Sequence, residues 1–518
     1  MKKQIYTILF IFSLLVFFIN LLIQGQIIFT YSDSYGLLFK MNLIYWSGYI
    51  ILIFLIYFQL KNYENIDKKY SYLTLILLTI YLIGTPFFYE RLPRFGDSWA
   101  HSFIASEMFR NKQVYNDISI YEDYPGTFLF YGLLYELLPA YHVMKFLPVF
   151  LYMVGALSIY LIFKNLSNEK TAFLISIFYM FFNWTVEDNH ISPQFLTLTL
   201  YLVFIFVLIK FLKDKENKNK YFLLLVLLSA AIVVSHPFTP IFLFFILGSV
   251  IVLCKKIRFS LIPVIVILFI LFSVYELYIT TTLKMLARDI STFIEVLFSG
   301  SSFERVTYRL ISSQFSRQVF LGSRIGITIV SIFLGLMGIR VLYGKKYTTE
   351  AKFFLAWAFS LIPFLIFVSQ VLKGEYYERF VLISSLPLAA LTVYFLSGHK
   401  VKPSFIFIFL LVLSPLFFIG KYGNEAFESI STEKMITYCY SHQYNTDCEE
   451  NSVISPIELN YQLENFGKTY FEVSRESIMA SSIYMDETID SIEKKINDIS
   501  ERNEMDRIYS TSIAGAYR

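Results

Sequence analysis

An acid, an indole and an imidazole stand close together in Arg94-Phe-Gly-Asp-Ser-Trp-Ala-His101, and the polar stretch they open runs on to Tyr124-Pro-Gly126. Asp97 and His101 are four residues apart, so on a helix they share one face. Such a pair can share a proton, bind a metal, or cap and brace a loop. A carboxylate at an apolar boundary has a raised cost of ionisation, which suits a general base. The structural alternative for Asp97 is a helix N-cap, since it follows Gly96 at the head of a helical stretch. His101 has the same choice between ligand, partner of Asp97 and plain loop histidine.

A second polar knot is Asp188 with His190, followed by Ser192-Pro-Gln194. Acid and histidine two apart have the spacing of metal ligands, but two ligands do not make a site. Asp97, Asp188 and His190 are the donors available if a divalent ion is bound. His236-Pro-Phe-Thr-Pro240 reads first as a bend at a helix turn and second as a substrate contact. Glu375 and Arg379 come just before an apolar helix. Arg379 there can fork onto a phosphate, snorkel, or pair with Glu375. Arg94 offers a second phosphate grip. A hydroxyl acceptor, a carboxylate base and arginines for a lipid phosphate together fit an inverting glycosyl transfer, in which positioning and electrostatics supply most of the catalysis.

The elements that must hold these groups are membrane helices. Of the 518 residues, 56% are hydrophobic and 19% aromatic, and the mean hydropathy is +0.56, which no soluble fold matches. The net charge of +4 gives no case for nucleic acid. Three cysteines exclude a disulfide scaffold. Apolar segments of spanning length or near it fall at 5–24, 42–60, 71–88, 143–163, 171–186, 192–212, 221–235, 238–254, 260–282, 323–343, 352–372, 380–397 and 403–420, about thirteen in all. The segment 127–138 is short and ends at Pro139, so it is read as a helix resting in the outer leaflet. The fold class is an all-α polytopic membrane protein over residues 1–420, followed by a small extracytoplasmic α/β tail over 421–518.

Lysines and arginines set the orientation. Lys2-Lys3, Lys61, Lys68-Lys69, Lys164, Lys170, Lys210 to Lys220, Lys255-Lys256, Arg340, Lys345-Lys346, Lys400 and Lys402 all fall on one side when thirteen spans start from a cytoplasmic N-terminus. The loops on the other side, 89–125, 187–193, 235–240, 283–322 and 373–379, hold the acids, histidines and prolines. Residues 283–297 carry apolar side chains at helical spacing and read as an interfacial amphipathic helix.

Three features together resemble the GT-C superfamily of integral-membrane glycosyltransferases. They are the acidic first outer loop, the Tyr124-Pro-Gly126 entry to the next segment, and eleven spans from 71 to 420. Asn189-His-Ile-Ser-Pro-Gln194, Ser235-His-Pro-Phe-Thr-Pro240 and Arg379-Phe with Pro387 look like further landmarks of that group. The resemblance implies a polyprenyl-phosphate-linked sugar as donor, Asp97 as the first-loop catalytic acid, and a glycan, lipid or protein acceptor at the extracytoplasmic face of the cell membrane. The chain departs from the family in having a single Asp97 where an Asp-x-Asp or Asp-Glu pair is usual, which leaves a divalent-metal cofactor open. It also has two additional leading helices and no Trp-Trp-Asp motif. The competing classes are a transporter or flippase of lipid-linked saccharides, for which Glu276 inside a span is the one pointer, and a non-catalytic protein of the same fold.

Overall fold

The computed structural model describes residues 2–25, 27, 35–90, 93, 96–112, 123–185, 188–254, 257–280, 315–343, 352–361, 377–423, 472–474, 507–510 and 514–517. Its helices follow the apolar runs. In chain order they are α1 (Lys2–Gln24), the short α2 (Leu37–Lys40), α3 (Leu43–Lys61), α4 (Lys69–Tyr89), α5 (Gly96–Asn111), α6 (Gly126–Leu137), α7 (Ala140–Leu166) and α8 (Glu169–Phe182). There follow α9 (Pro193–Lys213), α10 (Lys218–Val233), α11 (Phe238–Leu253), α12 (Arg258–Tyr278), α13 (Phe315–Tyr343), α14 (Lys352–Leu361), α15 (Tyr377–Gly398) and α16 (Pro403–Tyr422).

Each of the thirteen apolar segments carries a helix, and among the described residues nine helices are long and apolar enough to cross a bilayer. The other four are α8, α10, α11 and α14; α8 has 14 residues and α10 and α11 have 16 each. The protein is therefore a multi-pass helical membrane protein. Helix α6, of 12 residues, is too short to cross, as the sequence led us to expect.

Helix starts are written locally. Asn42 accepts from the Tyr45 amide at 3.1 Å, Asn168 from Thr171 at 2.9 Å, and Ser192 from Phe195 at 3.1 Å with Pro193 as the first helical residue. Packing between helices relies on polar bridges, because lipid offers no hydrophobic drive for helix association. Tyr81 donates to the Ser13 carbonyl at 2.7 Å, Ser13 donates to the Gly48 carbonyl at 2.9 Å, and Tyr49 pairs with Ser414 at 2.7 Å. Close backbone approach settles two glycines. A Cβ on Gly338 of α13 would strike the Leu391 carbonyl of α15, and one on Gly36, which also has φ +55, would strike the Tyr422 carbonyl.

Among the nine long helices α4 and α9 are the most enclosed, with 72% of their apolar windows buried, whereas α1 and α12 are 28% buried. The outer helices turn side chains such as Leu22 and Phe259, 84% and 81% exposed, toward the lipid.

The contacts sort the helix ends into two sets. At one end, Tyr6 meets Tyr70 and Thr74, Gln59 meets Ser71, Lys68 and Lys164 both meet Glu169, and Lys213 meets the Asn165 carbonyl. The opposite end gathers Gln24, Tyr89, His101, Tyr124, Asp188, Ser235, Glu276, Arg324 and Lys421. After α16 the described residues form a three-stranded antiparallel sheet of β1 (Glu472–Ser474), β2 (Arg507–Ser510) and β3 (Ala514–Tyr517), with β3 in the middle. The strand expected near 506–510 is β2; the helical run expected at 487–504, the amphipathic segment 283–297, Cys439 and Cys448 lie outside the described residues.

Candidate functional site

The polar end is organised by the connection from α8 to α9. Helix α8 stops at Phe182, and in the connection that follows the described residues Asn183, Thr185, Asp188, Asn189, His190 and Ser192 are all buried. Backbone outside a helix is tolerated at this depth only where protein or water satisfies it. Lys421, the penultimate residue of α16, does much of that work. Its ammonium donates to the Asn183 carbonyl at 3.2 Å, to the Thr185 carbonyl at 2.6 Å and to Asp188 Oδ1 at 2.6 Å. Asn183 Nδ2 donates to the other Asp188 oxygen at 2.6 Å. Both ends of this ion pair are 0% exposed. Burial pushes the Asp188 carboxyl above the usual carboxylate range, against the pull of the Lys421 ammonium.

Arg324 of α13 braces the same region. Its guanidinium lies 4.6 Å from the Trp184 ring centroid and 4.1 Å from that of Phe320, and its Nε donates to the Gly420 carbonyl at 2.6 Å. Trp184 Nε1 in turn donates to Thr328 at 3.0 Å.

The first loop docks on this connection through His101. Its Nδ1 lies 2.8 Å from the Ile191 carbonyl, which can only accept, so Nδ1 carries the proton. The ring stacks on His190, with centroids 6.0 Å apart and planes at 7°, and sits 5.8 Å from Phe128. Tyr131 of α6 donates to the Ser192 carbonyl at 2.9 Å, fixing the other side of the same loop. Helix α5 begins at Gly96, so Asp97 lies in its first turn, one helical turn before His101 and on the same face. The Asp97 side chain lies outside the described residues.

Residues 123–127 form a second hub. Tyr124 donates to Glu276 Oε1 at 2.6 Å, Thr280 donates to Glu276 Oε2 at 2.9 Å, and Tyr275 donates to the Asp123 carbonyl at 2.7 Å. The Gly126 amide donates to the Val234 carbonyl at 2.9 Å, and a Cβ there would press on Ser235 and Val234. That close approach is a use for the glycine of the Tyr-Pro-Gly run.

The remaining sequence candidates separate. His236 is a helix cap: its Nδ1 accepts from the Phe238 and Thr239 amides, each at 3.3 Å, and lies 3.1 Å from the Thr239 hydroxyl. The bend read from Ser235–Pro240 is what it serves. Arg94 and Glu375 lie outside the described residues, and Arg379 is placed by its backbone alone, in the first turn of α15. Among the described residues no three His, Cys, Asp or Glu side chains are grouped as a metal site. Asp188 and His190 do not fit a shared divalent ion as they stand, because Lys421 and Asn183 engage both Asp188 oxygens.

Sequence reading missed Lys421, Arg324 and Asn183. Lys421 and Arg324 stand at the polar ends of apolar helices, where a cation ordinarily marks the edge of a span. Their burial at 0% and 5% is the sign that they do more, and no sequence pattern carries it.

No protein-family model matches the sequence, and no curated protein matches it. Solved structures of the oligosaccharyltransferase of Archaeoglobus fulgidus are similar to it. The form tethered with an acceptor peptide gives a TM-score of 0.48 at 11% identity, covering 75% of this chain and 58% of that one. The complex with Zn and sulfate gives 0.46 at 13%, covering 73% and 55%. The complex with an inhibitory peptide and a dolichol-phosphate gives 0.45 at 12%, covering 77% and 63%. The chain thus spans less than two thirds of the length of the structures it matches.

Proposed function

We propose that the protein is a membrane glycosyltransferase that moves a sugar from a polyprenyl-phosphate donor to an acceptor hydroxyl at the extracytoplasmic face, with inversion. The observation that carries this reading is the tether of α5 to the buried 183–192 connection through His101 and Ile191. It sets the first turn of α5, and with it Asp97, at the end of the bundle where the polar side chains gather. A structural loop needs no such assembly. The lysine-rich connections fall at the opposite end, which supports a reading with the polar end outside the cell, the N-terminus in the cytoplasm and the tail outside.

In the proposed reaction Asp97 takes the proton of the acceptor hydroxyl. The hydroxyl oxygen bonds to the anomeric carbon as the bond from that carbon to the phosphate oxygen breaks, and the polyprenyl phosphate leaves with the electron pair. Arg94 and Arg379 grip the phosphate. Phosphate is a good leaving group, so alignment supplies most of the rate. The acceptor is a glycan, a lipid or a protein hydroxyl. The transport reading draws on Glu276 alone, and that carboxylate is held by Tyr124 and Thr280 near the end of its helix, away from the mid-membrane position alternating access would use.

Purified protein supplied with a synthetic polyprenyl-phosphate sugar and an acceptor mixture tests the reading, with released polyprenyl phosphate measured by mass spectrometry. Wild type releases the lipid phosphate. Asp97→Asn keeps shape and donor binding but loses on the order of a hundred-fold or more in rate. Arg379→Lys keeps charge but loses the two-pronged contact, so it weakens donor binding. Near wild-type transfer by a folded Asp97→Asn protein makes Asp97 a helix cap and sinks its assignment as base.

A further inference from the structure

At the lysine-rich end, α8, α13, α15 and the start of α16 enclose a cavity of about 260 Å³ whose eight lining side chains are all apolar. Helix α16 closes at the polar end with Lys421, so its start at Pro403 marks the opposite one. Phe178 of α8 is 0% exposed and Phe405 of α16 is 54% exposed, so the cavity reaches from the bundle interior to the lipid-facing surface. The connection Gly398-His-Lys-Val-Lys-Pro403 borders it, with Val401 in the lining, Lys400 and Lys402 exposed on either side of Val401 in the chain, and no acid. A Cβ on Gly398 would press on Val341, so the exposed Arg340 stands beside the same connection. Helix α15 closes there with the Lys400 amide donating to the Ser397 carbonyl at 3.2 Å and the Val401 amide to the Leu396 carbonyl at 3.0 Å. Such a closure favours glycine where Lys400 stands, because the backbone there is left-handed, and Lys400 has φ +50. Lys402 opens α16 without a side-chain cap and sets a cation at the positive end of the helix dipole. Both lysines occupy positions where the local backbone favours another residue.

We propose that this cavity holds one acyl chain of an anionic phospholipid, with the phosphate diester of its headgroup beside Lys400 and Lys402. The proposal does not rest on the glycosyl-transfer reading, and its lipid is distinct from the donor, whose phosphate is assigned to the polar end. Two features select the occupant. A lipid-facing hollow lined by apolar side chains forfeits dispersion contacts until a hydrocarbon fills it, and a bilayer supplies acyl chains at that spot. Its wall is a run of mutually supporting rings, with Phe178 and Phe405 each stacked on Phe409 at centroid distances of 5.8 and 6.4 Å. A headgroup at the mouth meets two lysines and an arginine, which attract a net negative lipid and gain little from a zwitterionic one. An apolar peptide or a second copy of the chain would fill the cavity with no use for these cations. The lysines thus supply what glycine and serine at the same two positions would lack.

The full-length protein, stripped of lipid in detergent, is titrated by native mass spectrometry with phosphatidylglycerol and with phosphatidylcholine of identical chains, and its melting temperature is measured alongside. Wild type binds phosphatidylglycerol more tightly. The double variant Lys400→Gly, Lys402→Ser removes both charges while relieving the left-handed lysine and restoring a helix cap. Without lipid it melts above wild type, yet it binds phosphatidylglycerol at least about tenfold more weakly and no longer prefers it to phosphatidylcholine. Leu334→Phe, which narrows the cavity from α13, weakens both lipids and keeps the preference between them. Equal binding of the two lipids by wild type overturns the proposal, as does a double variant that retains the wild-type preference. Lipid binding untouched by Leu334→Phe shows that the headgroup is held without a chain in the cavity, and overturns it as well. Dimers of wild type that Leu334→Phe disperses, with no lipid preference, assign the cavity to a second copy instead.

Discussion

Lys421 and Asp188 show how one pair of residues can hold a buried connection together from distant parts of the chain. They are 233 positions apart, both fully buried, and joined at 2.6 Å. The net contribution of such a pair relative to apolar residues is small, because desolvation offsets the attraction, but removing one partner strands the other. Lys421→Met therefore lowers unfolding stability by about 3–5 kcal/mol. The double variant Lys421→Met, Asp188→Leu recovers most of that loss. Thermal or denaturant unfolding in detergent gives the coupling from the double-mutant cycle, and strictly additive effects would show that the pair is not coupled. The same cycle reports on the site, since the loop that Lys421 holds also carries the Ile191 carbonyl that receives His101.

Helix α8 is the element on which both ends of the bundle depend. Its polar-end exit becomes the buried connection, and its start is clamped by charge. Glu169 lies 2.8 Å from Lys68 and 2.8 Å from Lys164, tying α8 to the start of α4 and the end of α7. Burial raises the Glu169 carboxyl, but hydrogen bonds from Lys164 and Lys68 outweigh it and hold the group below its usual value. A depressed carboxylate contributes stability that is fully present above its unfolded value of about 4.3 and is lost as pH falls through the lower folded value. The melting temperature of Glu169→Gln in detergent thus sits below wild type at pH 7, and the gap closes as the pH approaches 3. A gap that is constant with pH would mean that the loss comes from packing and not from charge. High salt narrows the gap as well, because the two lysine partners are exposed.

The proposed transfer requires the polar end of the whole molecule to face the side that holds the donor lipid. Asp188 and His236 are buried, so neither position can report the side it faces by chemical labelling. Lys112 and Lys215 can, because both are exposed and belong to opposite ends of the bundle. Between Tyr89 and Ala140 no described helix is long and apolar enough to cross, so Lys112 shares a side with α5 and α6. In a background with the three native cysteines replaced, Lys112→Cys reacts with an impermeant maleimide in intact cells. Lys215→Cys reacts only after permeabilisation. The reverse pattern inverts the protein and moves its polar end to the cytoplasm.

Hydropathy by itself determined the membrane architecture, because a bilayer of fixed thickness demands apolar runs of about 20 residues and leaves little choice in where they fall. The thirteen apolar segments, each of which carries a helix, and the short helix within 127–138 are legible that way. Asp97 and His101 were legible as one helical face, since period and spacing suffice for that. The partners of these groups were not. His101 meets a carbonyl 90 residues away, and Lys421 crosses 233 residues to Asp188; both contacts exist only because α5, the 183–192 connection and α16 converge at one end. A lysine closing an apolar helix has the same sequence appearance whether it reaches water or an interior carboxylate. Burial decides between the two, and burial is a property of neighbours that only the tertiary structure supplies.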